Sequence, residues 1–139
     1  MSHNFFYQFI CKHKLAVLST VSSDNAPESA LVGIAITPDL KIIFDTVSDS
    51  RKYRNLMMNP KISFVIGWDA EETVQYEGIA KIPGEDDLQE LLEIYFRVFP
   101  DGKGRKENWK NIAYFYVEPK WMRYSNFSST TPQVEEFQF

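Results

Sequence analysis

The chain is 139 residues long, 44% hydrophobic and 24% charged, with a formal net charge of −4. This is one domain's length, predicted to run over residues 1–139 around a single core, and the composition excludes wholesale disorder. The acidic balance argues against a nucleic-acid partner; one cysteine, Cys11, excludes an internal disulfide and multi-thiolate metal sites; and the longest apolar run, Ala30 to Ile36, is too short to span a membrane.

In chain order, Phe5, Phe6, Phe9 and Ile10 recur at helical spacing within Ser2–Lys14, with Ser2 or Asn4 as a cap, so a short amphipathic helix is expected. This segment lacks the basic start, long apolar stretch and small-residue cleavage site of a secretory signal, and the lone thiol fits a reducing cytoplasm. Leu15–Ser22 is a strand-like run of branched residues, Ser23–Pro27 a turn, and Glu28–Thr37 a second strand. Pro38-Asp39 is another turn and Lys41–Thr46 a third strand, so the opening reads as an antiparallel meander. A two-turn helix follows Ser50 and stops at Asn59-Pro60, because proline disfavours helical geometry in the residue before it. Lys61–Trp68 and Thr73–Ile82 are strands around an acidic turn, Asp69–Glu72, whose Glu71-Glu72 pair reads as solvated surface. Beyond the Pro83-Gly84 break, Asp86–Gln89 has the pattern of a capping box, and Leu88, Leu91, Leu92, Tyr95 and Phe96 supply a buried helix face. Pro100–Gly104 reads as a loop, Asn111–Val117 and Trp121–Ser125 as two strands joined through Glu118-Pro119-Lys120, and the tail after Asn126 as loose. About seven strands and three helices predict a mainly β fold: a closed or nearly closed antiparallel barrel with peripheral helices.

Catalytic pairs are scarce. His3 and His13 adjoin no nucleophile motif and no carboxylate at metal-ligand spacing, so no metal site and no catalytic residue is named, and His13 reads as structural. Cys11 reads as a buried or idle thiol, and Tyr95 as a core residue on its helix. The 11 Phe, 7 Tyr and 3 Trp suit a β-rich core, with a flat-ligand slot or an apolar interface as the sharper alternative. One segment runs against electrostatics: the helix after Ser50 opens with Arg51, Lys52 and Arg54, where the helix dipole disfavours cations. A phosphate would relieve this, held by free backbone N–H groups, the Ser50 hydroxyl and two cations, with Thr46 and Ser48 nearby. Solvation, or pairing with Asp45 and Asp49, would relieve it equally well.

The run Phe44–Lys52, then Asn59-Pro60 and a strand ending in Trp68, resembles the pyridoxamine 5′-phosphate oxidase-like flavin-binding split barrels, including their small general stress protein branch. Leu15–Thr20, Glu77–Ala80 and Val117-Glu118-Pro119 leading into Trp121 extend the likeness over nearly the whole chain. The resemblance implies an antiparallel split β-barrel, FMN as cofactor, oxidoreductase-type chemistry and a homodimer with flavin sites at the subunit interface. It also implies that Arg51 and Lys52 hold the FMN phosphate with Thr46 and Ser50 assisting, and that Asp45 lies close by. The backbone of Ala30, Leu31 and Val32 would run along the ring, with Trp68, Thr73 and Gln75 in the ring region, across the dimer. Ala30 and Ala35 stand where the authentic oxidases carry Arg and Lys, and Phe99 stands where they carry a substrate-binding Arg. Their C-terminal Arg and His have no counterpart around Trp121–Tyr124, so weak binding of pyridoxamine phosphate is expected. The rival expectation is a non-catalytic module holding flavin, haem or deazaflavin.

Overall fold

The computed structural model describes residues 3–139, so a capping role for Ser2 lies outside the described residues. Eight strands and four helices follow the order α1 (His3–Cys11), β1 (Leu15–Val21), β2 (Pro27–Gly33), β3 (Ala35–Ile36), β4 (Ile42–Val47), α2 (Arg51–Met58), β5 (Lys61–Ile66), β6 (Glu72–Lys81), α3 (Glu85–Val98), α4 (Gly102–Asn108), β7 (Ile112–Asn126) and β8 (Gln133–Gln138). All pairings are antiparallel and build one curled sheet in the order β2-β1-β5-β6-β7-β4-β3. The terminal strands β2 and β3 are separated only by Ile34, so the two ends of the sheet meet through the chain itself and the sheet is a split barrel.

Ile34 also corrects the expected unbroken strand over Glu28–Thr37. Its N–H bonds the Lys14 carbonyl at 2.9 Å, and the chain there stops pairing with β1 and begins pairing with β4. The two expected closing strands are one. Pro119 lacks an N–H and sits at a bulge where the β6–β7 register shifts between Glu77 and Gly78, and the ladder continues past it. The bulge frees the Lys120 carbonyl, which accepts from Phe139 N at 3.1 Å and Gln138 Nε2 at 3.2 Å. Thus the tail expected to be loose is strand β8, paired with the second half of β7. The expected loop at Pro100–Gly104 runs into helix α4, tied by Arg105 to Asp45 and Asp101. Helix α3 starts at Glu85 with Gly84 as its N-cap and no side-chain cap bond, in place of a capping box.

Strand alternation explains most of the core. Ala16, Leu18 and Thr20 of β1 point inward, as do Ile62, Phe64 and Ile66 of β5 and Val74 and Tyr76 of β6. Helix α1 plugs this cluster with Phe6, Phe9 and Ile10. Strand β4 is buried on both faces: Ile42 and Phe44 join the barrel core, whereas Ile43 joins a second cluster with Leu91, Leu92, Tyr95 and Tyr114 under α3. Most aromatic rings are core contacts, such as Phe44 stacked on Phe115 at 5.5 Å and edge-on to Phe64 at 6.1 Å. Trp68 and Trp109 are half exposed. Cys11 is exposed, which corrects the buried alternative for that thiol. Among the described residues no helix is long and apolar enough to cross a membrane.

Candidate functional site

The start of α2 is built by short-range chemistry. Ser50 has extended backbone angles and its Oγ accepts from Tyr53 N at 3.2 Å, an N-cap that fixes where the helix begins. Thr46, buried at the end of β4, places its Oγ1 2.9 Å from the same Ser50 oxygen. The first turn contains no acidic residue. Its three cations are handled differently. Arg54 turns away and donates to the Asp49 carbonyl at 3.2 Å. Arg51 Nη1 lies 3.3 Å from Glu28 Oε2, and Lys52, partly buried, has no ion pair among the described residues. Neither the Asp45 nor the Asp49 carboxylate pairs with this group, so the pairing that the sequence left open is made by a residue of another strand.

Arg51, Lys52, Glu28, Thr20, Ala30 and Leu18 are among the residues that line a pocket of about 170 Å³ between α2 and the β1–β2 edge. Behind it, Asn55 Nδ2 donates to Glu28 Oε1 at 2.8 Å and to Thr20 Oγ1 at 2.9 Å. Asn55 and Thr20 are buried, so the amide is locked and in turn locks Glu28. The sequence reading missed Glu28, Asn55 and Thr20. The only local signal was Asn55 lying one helical turn beyond Arg51, on the same face of a helix whose exposed end is basic.

Asp45 and Thr46 are adjacent on β4 and therefore face opposite sides of the sheet. Thr46 joins Ser50, whereas Asp45 faces α3 and α4 and takes Arg105 at 3.2 Å. Burial opposes the Arg105 charge, but Asp45 and Asp101 outweigh it and hold the guanidinium above its usual range. Burial raises the hydroxyls of Tyr95 and Tyr114 beside this pair, helped by the Asp45 charge. Tyr114 Oη is buried with no hydrogen-bond partner among the described residues.

The remaining candidates spread along the barrel. Ala30 borders the pocket, Leu31 projects from the outer face at 58% exposure, and Val32 is buried. Gln75 is exposed on the outer face at the level of Val65 and Val17, three residues from Thr20, or roughly 10 Å along the strand. Thr73 donates to the Ile66 carbonyl at 3.3 Å at the end of β5, and Trp68 follows beyond that end, farther from the pocket than Gln75 along the strand. One chain therefore brings Ser50, Arg51, Lys52, Thr46 and Ala30 together and keeps Trp68, Thr73 and Gln75 apart from them. A shallow depression of about 470 Å³ shares Thr20 with the pocket and crosses the outer face over Ser19, Ser63 and Gly78. A larger groove of about 650 Å³ between α3 and α4 mixes Glu85 and Glu93 with Arg97, Lys103 and Lys106 and lies away from these residues. Among the described residues no group of three or more His, Cys, Asp or Glu is placed to hold a metal ion.

Helix α2 and its flanking strands lie within the segment, residues 4–126, that matches the family model described as pyridoxamine 5′-phosphate oxidase. A pyridoxine/pyridoxamine 5′-phosphate oxidase from Bacteroides fragilis is 40% identical over 115 residues, covering 76% of this chain and 49% of that protein. The chain thus spans about half the length of the curated relatives it matches. The fold is similar to that of a haem-binding protein from Mycobacterium smegmatis, with a TM-score of 0.82 at 15% identity over 99% of this chain and 58% of that one. It is also similar to General Stress Protein 26 from Bacillus anthracis, with a TM-score of 0.72 at 19% identity over the full length of both. By the extent of the family match, the chain belongs to the pyridoxamine 5′-phosphate oxidase family.

Proposed function

We propose that this protein binds FMN as an oxidoreductase-like homodimer and is not an authentic pyridoxamine phosphate oxidase. The observation that carries the reading is the cup at the start of α2: two cations lining a pocket of about 170 Å³, at a helix N-terminus capped by Ser50, whose hydroxyl pairs with that of Thr46. Those groups fit a phosphate ester. The helix dipole and the free N–H groups of the first turn attract an anion, and Arg51 and Lys52 add charge-assisted donors. Of the two hydroxyl hydrogens on Thr46 and Ser50, one joins the pair to each other, which leaves one to donate to a ligand oxygen. When bound, the flavin itself supplies the electron-transfer chemistry. The chain's part is to anchor the phosphate end, to offer a weakly polar surface to the ring and to limit solvent access.

The same reading favours a second copy. Leu31, Leu15 and Val65 expose apolar side chains on the outer face of β2, β1 and β5, and Trp68 is 52% exposed beyond β5. A two-fold partner covering this face would bring Trp68, Thr73 and Gln75 of one copy toward the cup of the other. Ala30, Ala35 and Phe99 leave few cations for a second phosphate, so pyridoxamine phosphate would be held poorly.

A haem-binding role is the second reading, favoured by the likeness to the Mycobacterium smegmatis protein. Against it, His13 packs on Phe9 with ring centroids 4.9 Å apart, and His3 packs on Phe137 at 4.5 Å. Spectroscopy of the purified protein titrated with FMN, riboflavin and haem separates the two. Flavin bands with quenched flavin fluorescence are expected, and a Soret band without flavin uptake would reverse the assignment. Arg51→Glu with Lys52→Glu should weaken FMN at least a hundredfold and leave riboflavin within a factor of about three, since two charge-assisted contacts contribute about 1.5–3 kcal/mol each.

A further inference from the structure

We propose that Glu28 sets the charge selectivity of the cup, so that it accepts a singly charged phosphate group in preference to a dianionic one. The proposal rests on the reading of this pocket as a phosphate site. Three ionisable side chains line the pocket, Arg51, Lys52 and Glu28, and their formal charges sum to +1. A phosphate monoester above its second pKa of about 6 carries two negative charges, and a phosphodiester carries one. By side-chain charge the cup therefore matches a diester or a singly protonated monoester, and a dianion keeps one charge that only the roughly half charge of the helix N-terminus offsets, directly beside a carboxylate.

Glu28 is built in and not a stray surface acid. Its backbone is paired with Thr20 in the β1–β2 ladder. Its Oε1 receives the Asn55 amide at 2.8 Å, and that amide is held by Thr20 at 2.9 Å. Asn55 and Thr20 are 7% and 2% exposed, so this side of the carboxylate is closed to water, and its other oxygen lies 3.3 Å from Arg51. Arg51 and Asn55, one turn apart on α2, grip the two oxygens of one carboxylate. An incoming phosphate must share Arg51 with it. A residue needed only to stiffen α2 would serve as well without the charge, because Asn55 donates equally to an amide oxygen.

Glu28→Gln keeps the shape and the acceptor for Asn55 and removes the charge. At roughly 6 Å in a partly solvated site, one unit of charge is worth about a tenfold change in affinity per unit of ligand charge. The probes are FMN, its methyl phosphodiester and riboflavin, titrated by flavin fluorescence at about pH 8, above the monoester's second pKa of about 6. Wild-type protein should bind the diester at least as tightly as FMN. Glu28→Gln should shift the preference toward FMN by about tenfold with riboflavin unchanged. Wild-type affinity for FMN ten times that for the diester, or a preference unmoved in Glu28→Gln, would overturn the proposal, and the wild-type comparison decides even if the variant folds poorly. Arg51→Ala with Lys52→Ala separates the two levels. Loss of FMN affinity there with an inert Glu28→Gln condemns only the role of Glu28. An inert double variant, with FMN and riboflavin bound alike, condemns the phosphate site itself and the proposal with it.

Discussion

Replacing Asn55 by Ala tests whether the floor of the cup is also a structural keystone. The variant removes two N–H donors at once, one to the Thr20 hydroxyl at 2.9 Å and one to the Glu28 carboxylate at 2.8 Å. A neutral hydrogen bond contributes about 1 kcal/mol and one to a charged group about 1.5–3 kcal/mol. Thr20 is 2% exposed, so water cannot replace its lost partner, whereas the Glu28 side chain is 21% exposed and keeps Arg51, so part of its loss is recovered. The expected destabilisation is about 3 kcal/mol, or roughly 10 °C in melting temperature for a chain of this length. Equilibrium guanidinium unfolding with linear extrapolation reads it directly, with an unchanged slope as evidence that the denatured state is unaffected. Thr20→Val alone should cost about 1–2 kcal/mol, because it strands one Asn55 N–H, and the double variant should cost less than the sum. A loss below about 1 kcal/mol for Asn55→Ala, or strict additivity with Thr20→Val, would refute the network.

The buried tyrosines predict alkaline sensitivity. Burial raises the Tyr76 hydroxyl well above 10, with Asp39 and Glu118 adding to it, and raises Tyr95 beside Asp45. Both folded values exceed the unfolded value of about 10, so this stability is complete below pH 10 and is lost as the pH rises beyond it. Each contributes about 1.4 kcal/mol per pH unit there, and tyrosinate absorbance should appear together with unfolding; a Phe at either position should flatten its share. Gly78→Ala should cost about 2–3 kcal/mol, because the new methyl group would collide with the Glu118 carbonyl oxygen, fixed in the ladder. Gly104→Ala, with nothing within 4 Å and a helical position in α4, should instead stabilise by up to about 1 kcal/mol in the same denaturant assay.

What the sequence could and could not say divides along the range of the interaction involved. Ser50 announced the start of α2 because an N-cap acts over three residues, and Asn59-Pro60 announced its end for a similarly local reason. The alternation in Leu15–Val21 and Lys61–Ile66 announced strands because burial follows a period of two. Helix α4 was hidden by Pro100, Gly102 and Gly104, which signal a loop, while the tie that holds it runs from Arg105 to a carboxylate sixty residues earlier. Strand β8 was hidden by its polar composition. Its place depends on pairing with the second half of β7, from Trp121 opposite Gln138 to Asn126 opposite Gln133.

At the site, sequence alone determined that cations crowd one helix start, that a hydroxyl caps it and that a strand leads into it, since each is a matter of neighbours in the chain. Only the tertiary structure decided which anion already sits among those cations. Glu28 and Asn55 are twenty-seven residues apart, and their contact exists because β2 pairs with β1 while α2 packs across the same edge. Tertiary structure likewise decided that Asp45 serves α4 and not the cup, because adjacent residues on a strand face opposite sides, and which side holds the cup is set by where α2 docks.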